Sequence, residues 1–219
     1  MAEKIIGMCG LQGQGKNSVA NVIAKKGTNW ELVSFAKVLK DAIAVMFSWD
    51  RDMVEGVTPE SREWREQPDE YWSNKFGRDF SPRTAMQEFG TNLIREKWLA
   101  DFWVAALERY IVSSDKNIIV TDCRYPNEME MIKRLGGEVW LTHVGNLPYY
   151  WDAVCEYNAT GKINPEELVT EEEILKIHRS ERDWIKPTTE FDAFINPPYK
   201  DLELLETFVD EVAKNKGLY

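Results

Sequence analysis

Six residues near the start of the chain are of the right types and spacing to hold phosphate. Gly10, Gly13 and Gly15 lead into Lys16, Asn17 and Ser18. Glycines let a backbone curl until successive N–H groups converge on one anion. A lysine closing such a turn reaches the outer phosphate oxygens as a mobile point charge. The spacing Gly10-x4-Gly15-Lys16 is that of a phosphate-binding loop. One position departs from the motif, which sets Ser or Thr directly after the lysine to hold magnesium. Asn17 stands there, and the hydroxyl comes one place later at Ser18. An amide oxygen still suits Mg²⁺, directly or through water.

The flanking residues are those such a loop needs. The apolar run Ile5–Cys9 reads as a buried strand, and Val19, Val22 and Ile23 fall at helical spacing after the lysine. The helix then aims its unpaired N–H groups and positive dipole end at the bound anion.

A second chemical stretch begins at Asn117–Thr121, another apolar strand, which ends in Asp122. Ligands of open α/β sheets lie beyond the carboxyl ends of the strands, so Gly10 and Asp122 share one edge if their strands run parallel and close. Asp122 is then placed to hold magnesium through water or to fix a substrate, and Arg124 to clamp a phosphate with two parallel hydrogen bonds. Alternatively, Asp122 caps the helix opened by Pro126, and Arg124 is surface. Elsewhere, Arg83, Gln87 and Trp103 are polar or aromatic groups able to project into a pocket beside the sheet. His178–Arg182 offers His178 as a base, Ser180 and Glu181 as a cap or hinge, and Arg179 and Arg182 as lid arginines for transferring phosphates.

The 219 residues fit one α/β domain, and a net charge of −10 argues against a nucleic acid polymer as partner. No run approaches the roughly 20 apolar residues of a membrane span. The opening residues enter a strand directly, so no signal peptide is expected. Three scattered cysteines (Cys9, Cys123, Cys155) fit reduced thiols in a cytoplasmic protein. Most of the nine tryptophans should be core, with several free to line a pocket.

Strands are expected at Ile5–Cys9, Glu31–Phe35, Asn117–Thr121, Glu138–His143 and Phe191–Ile195. Helices between them predict a three-layer α/β/α fold on a mainly parallel five-stranded sheet. The helix over Ala36–Phe47 should bury Val38, Ala42, Ile43 and Met46; the helix from Pro82 should bury Met86, Phe89, Leu93 and Ile94. A closing helix over Asp201–Lys214 should turn Leu202, Leu205, Phe208, Val209 and Val212 inward. Residues 1–219 read as a single domain with two insertions. One spans 49–81 and is a candidate substrate-binding segment. The other spans 146–182, is lid-like, and carries an acidic run from Glu166 and Glu167 to Glu173.

In this order the segments resemble the bacteriophage deoxynucleoside monophosphate kinases. Gly10–Ala20 is similar to the family's phosphate loop, where Asp and Thr usually follow the lysine. Phe35–Ala44, Pro82–Ile94, Trp103, Ile119–Met129 and His178–Glu181 are similar to further family segments. The resemblance implies transfer of the ATP γ-phosphoryl group to deoxynucleoside 5′-monophosphates, with Mg²⁺ accompanying ATP. It implies that Gly13, Gly15, Lys16, Asn17 and Ser18 grip phosphate and metal. It further implies that Arg83, Gly90, Trp103, Asp122, Arg124 and Glu128 line the acceptor side. A phage genome, the host cytoplasm and DNA precursor synthesis go with the family, and a homodimer stays open. The alternatives are another small-molecule P-loop kinase (of nucleosides or dephospho-coenzyme A), an NTP-binding switch acting on a protein partner, and a structural protein with a vestigial loop.

Overall fold

The computed structural model describes residues 2–164, 168–196 and 201–218; the expected acidic positions Glu166 and Glu167 lie outside them. The elements in chain order are β1 (Ile5–Cys9), α1 (Lys16–Lys26), β2 (Trp30–Val33), α2 (Ala36–Phe47), α3 (Arg51–Glu55), α4 (Pro59–Glu66), α5 (Glu70–Phe76) and α6 (Pro82–Gln87). The helix α6 widens into a π-helical stretch, Glu88–Arg95. Then come α7 (Phe102–Ser113), β3 (Asn117–Cys123), α8 (Pro126–Arg134), β4 (Glu138–Thr142), α9 (Trp151–Thr160), α10 (Glu171–Lys176), α11 (Arg179–Arg182), β5 (Ala193–Ile195) and α12 (Leu202–Asn215). None of these helices is long and apolar enough to cross a membrane.

The five strands form one sheet in the order β2-β3-β1-β4-β5, with every neighbouring pair parallel. Alternation along β1 explains the layering. Ile6 and Met8 join a core with Val19, Ala20 and Ile23 of α1 and Leu205, Val209 and Ala213 of α12. Gly7 faces the opposite side, where Ile132 of α8 lies against it. Helices therefore cover both faces, giving the three-layer α/β/α arrangement. In α12, Leu202 and Phe208 remain substantially exposed, and Ala213 completes the inward stripe in their stead.

The chain divides into two compact units, Met1–Ser34 with Tyr110–Tyr219, and Phe35–Arg109. The expected excursion at 49–81 thus lies inside a larger unit, because α2 and the residues after Pro82 share its core. Leu39, Ile43 and Phe47 pack with Trp49, Val54, Phe80, Ala85 and Trp103. The tryptophans of this stretch fill that core rather than line a pocket: Trp49 is buried, and Trp64 and Trp72 pack against the cluster. The residues 146–182 belong to the first unit.

Two expected helix faces are shifted. In α2 the buried stripe is Leu39, Ile43, Ala44 and Phe47, while Val38, Ala42 and Met46 are exposed. After α6 the π-helical widening puts Phe89 and Ile94, five apart, against the core and leaves Leu93 exposed.

Candidate active site

The phosphate loop spans the turn between β1 and α1. Gly10, Gly13 and Gly15 have φ of 152°, 80° and 81°, values that favour glycine. At Gly10 the constraint is also spatial, since a Cβ there would stand 2.4 Å from the Thr142 carbonyl at the end of β4. The loop is fixed to that strand exit by Gln14, whose Oε1 accepts the Val144 N–H at 2.7 Å. Gly15 is the N-cap of α1, and no acidic residue occupies the first turn. The end of α1 therefore presents N–H groups and a positive dipole to the loop mouth. Asn17 and Ser18 are exposed there.

Lys16 folds back over its own loop, donating to the carbonyls of Gly10 (2.7 Å) and Leu11 (2.8 Å). Burial, with Arg124 close by, lowers its pKa to about 8, against opposing contributions from Glu181, Cys9 and Asp122. Lys16, Arg124, Glu181 and Asp122 therefore share one electrostatic neighbourhood. The strand β3 extends past the expected end to include Asp122. Its pairing with β1 sets Cys123 beside Cys9, so Asp122 and Gly10 do share the carboxyl edge.

Arg124 leaves that edge with its backbone held by Glu128. The Glu128 carboxylate accepts the N–H groups of Arg124 (2.7 Å) and Tyr125 (3.2 Å) and lies almost wholly buried. Glu128, expected on the acceptor side, thus closes a capping box at the start of α8 and orients Arg124. The Arg124 guanidinium pairs with Oε1 of Glu181, while Oε2 of the same carboxylate accepts the Gln12 N–H at 3.3 Å.

Glu181 was not expected at the loop. The sequence offered an acid beside arginines, but the contact joins residues 57 apart and leaves no periodic trace. The cap of α11 is His178, whose Nδ1 accepts the Ser180 N–H. Arg179 and Arg182 both pair with Asp183, and Arg182 also donates to the Ile174 carbonyl at 3.0 Å.

The other expected residues stand in the second unit. The Trp103 indole N–H donates to the Gly90 carbonyl at 2.9 Å, and both residues are buried. Gly90 is required by close approach, since a Cβ there would stand 2.7 Å from Leu39. These two residues, expected to line the acceptor side, are thus engaged with each other. Arg83 is exposed at the start of α6, behind the Ser81 cap. Its charge bears on Arg65, whose pKa is lowered by burial and then by Arg83. Arg65 lies against Gly56, and Arg62 donates to the Gly56 carbonyl. Arg62, Arg65 and Arg83 thus share a neighbourhood in which Glu66 and Glu55 also bear on Arg65.

Residues 57–146 match the family model described as deoxynucleotide monophosphate kinase. A protein of Acanthamoeba polyphaga mimivirus, to which that activity is ascribed by name, is 29% identical over 147 residues, covering 61% of this chain and 70% of its own. Among solved structures, shikimate kinase from Bacteroides thetaiotaomicron is 16% identical, with 97% and 98% of the two chains covered and a TM-score of 0.45. Dephospho-CoA kinase from Campylobacter jejuni is 13% identical, with 98% of each chain covered and a TM-score of 0.43. At these values neither structure bears on substrate or mechanism.

Proposed function

We propose the following mechanism from the premise that this chain belongs to the deoxynucleotide monophosphate kinase family: Lys16 and Arg124 carry an in-line transfer of the ATP γ-phosphoryl group to a deoxynucleoside 5′-monophosphate. The observation that carries this reading is the glycine loop of β1 and α1 with two cations, Lys16 and Arg124, at its mouth. Phosphoryl transfer asks the protein for positioning and charge neutralisation more than for covalent chemistry.

In this reading the N–H groups of Gly13, Gly15 and the first turn of α1 hold the donor phosphates. Lys16 leaves the carbonyls of Gly10 and Leu11 and turns to the triphosphate, neutralising charge as the transferring group develops it. Arg124, held at its backbone by Glu128, binds the phosphate that gives or receives that group. In the second unit we assign Arg83, Gly90 and Trp103 to acceptor binding. Arg179 and Arg182 are assigned to the lid with less direct roles, since both already pair with Asp183.

The oxygen donors at the loop fit magnesium. Asn17 offers an amide, Ser18 a hydroxyl and Asp122 a carboxylate, the hard ligands this ion takes, and it commonly keeps waters and substrate phosphates as the remainder. Among the described residues no three His, Cys, Asp or Glu side chains gather into a metal cage. When bound with ATP, the ion would offset the charge of the phosphate chain. We further assign the enzyme to the cytoplasm of a virus-infected host, feeding DNA synthesis.

The test is ADP release with Mg·ATP and each deoxynucleoside and ribonucleoside monophosphate in turn. Release that depends on a deoxynucleoside monophosphate supports the reading and sets the base range. Release indifferent to every acceptor would instead indicate an NTPase switch.

A further inference from the structure

Three donors at the mouth of the phosphate loop already have protein oxygens on them. Lys16 is on two carbonyls of its own loop. The Gln12 N–H and the Arg124 guanidinium are both on the Glu181 carboxylate. A carboxylate bridging a loop N–H and an arginine makes the contacts that a phosphate oxygen makes at such a loop.

The backbone behind this carboxylate is fixed. Trp184 Nε1 donates to the Ser180 carbonyl at 3.1 Å, and Arg182 donates to Ile174. Asn158 Nδ2 donates to the carbonyls of Arg182 (2.8 Å) and Ile185 (2.9 Å). The Glu181 side chain itself is 24% exposed and Arg124 28%. The carboxylate can therefore leave the loop by a rotamer change, with the segment that bears it staying in place.

We propose that Glu181 is a positioning residue that stands in for a phosphate oxygen. It keeps Arg124 and the Gln12 N–H aimed at one point beside the loop, and the polyphosphate of an incoming nucleotide takes its place. The inference rests on the assignment of the loop as the nucleotide site. Its consequence is that part of the binding energy of the nucleotide goes into displacing a carboxylate. Removing the negative charge at 181 should therefore tighten anion binding, the opposite of what loss of a supporting residue does.

The experiment measures binding of inorganic tripolyphosphate to the full chain by calorimetry, in wild type, Glu181→Gln, Glu181→Asp and Lys16→Ala, with thermal unfolding of each and KM for ATP. Glu181→Gln is expected to bind about tenfold tighter than wild type and to show a matching fall in KM. Glu181→Asp keeps the charge but withdraws it from Gln12, so a gain of about threefold is expected; it carries the test if the Gln variant does not fold. Wild-type binding that is lost in Lys16→Ala but not tightened in either Glu181 variant overturns the proposal and leaves the phosphate loop standing. Absence of binding in wild type and in every variant overturns both.

Discussion

The two units bury their interiors with different materials. Around the sheet the core is largely aliphatic: Ile6, Met8, Val19, Ile23, Ile119 and Val209, with Trp140 among them. In Phe35–Arg109 it is aromatic, with Phe47 stacked on Trp49 at 4.6 Å, edge-on to Trp72 at 5.1 Å, and Phe76 stacked on Phe80 at 4.3 Å. The contrast follows from the backbone. Parallel strands satisfy one another's polar groups, so their side chains need only fill space. Helices as short as α3, α4 and α5, of five to eight residues, are marginal alone. Here indole N–H groups tie elements together: Trp49 to Asp69, Trp72 to the Phe47 carbonyl and Trp103 to the Gly90 carbonyl. Aromatic residues thus give the second unit both area and polar attachment, whereas in the sheet unit polar chemistry is concentrated at the strand ends, where Lys16 and Arg124 stand.

That contrast predicts separable failures. Lys16→Ala should cost about a thousandfold in turnover, read by ADP release, with the unfolding midpoint little changed. A large loss of stability would show that the loop lysine also holds the sheet unit together. Phe80→Ala should remove about 3–5 kcal/mol, read by denaturant unfolding, because Phe80 is fully buried against three other rings. A cost under about 1 kcal/mol would mean that the aromatic core repacks freely. Next in size is the effect of pH on kcat/KM for ATP. Lys16 is charged below its pKa of about 8 and neutral above it. The rate constant should therefore hold on the acid side of that value and fall about tenfold per pH unit above it. A flat profile to pH 9.5 would remove Lys16 as the charge that receives the nucleotide. Trp103→Phe keeps the ring and deletes the donor, removing the indole hydrogen bond from the Gly90 carbonyl; about 1 kcal/mol should be lost, read from the shift in denaturant midpoint.

The same contrast decides how much the sequence discloses. The loop is legible because its determinants are adjacent, and the five strands because each is a short apolar run bounded by breakers. The faces of α2 are harder, since Val38, Ala42 and Met46 repeat every four residues just as Leu39, Ile43 and Phe47 do. Period alone cannot rank two such stripes, and the bulkier one is buried. The π-helical turn is illegible because it changes the period itself, replacing Leu93 by Ile94 as the partner of Phe89 in packing. The Glu181 bridge, and the mutual use of Gly90 and Trp103, depend on folds of the chain that no local pattern records.

The strand order has a consequence for the birth of the molecule. In synthesis β1 precedes both strands that flank it, β3 beginning at Asn117 and β4 at Glu138. The phosphate loop thus has no wall behind it until those two strands have been made. The aromatic unit, by contrast, is one continuous segment, Phe35–Arg109, complete before either neighbour emerges. Contacts of such sequence separation form slowly. Assembly of the sheet behind the phosphate loop is therefore expected late in folding, and a chain cut short after the aromatic unit holds every glycine of the loop but no sheet to support it.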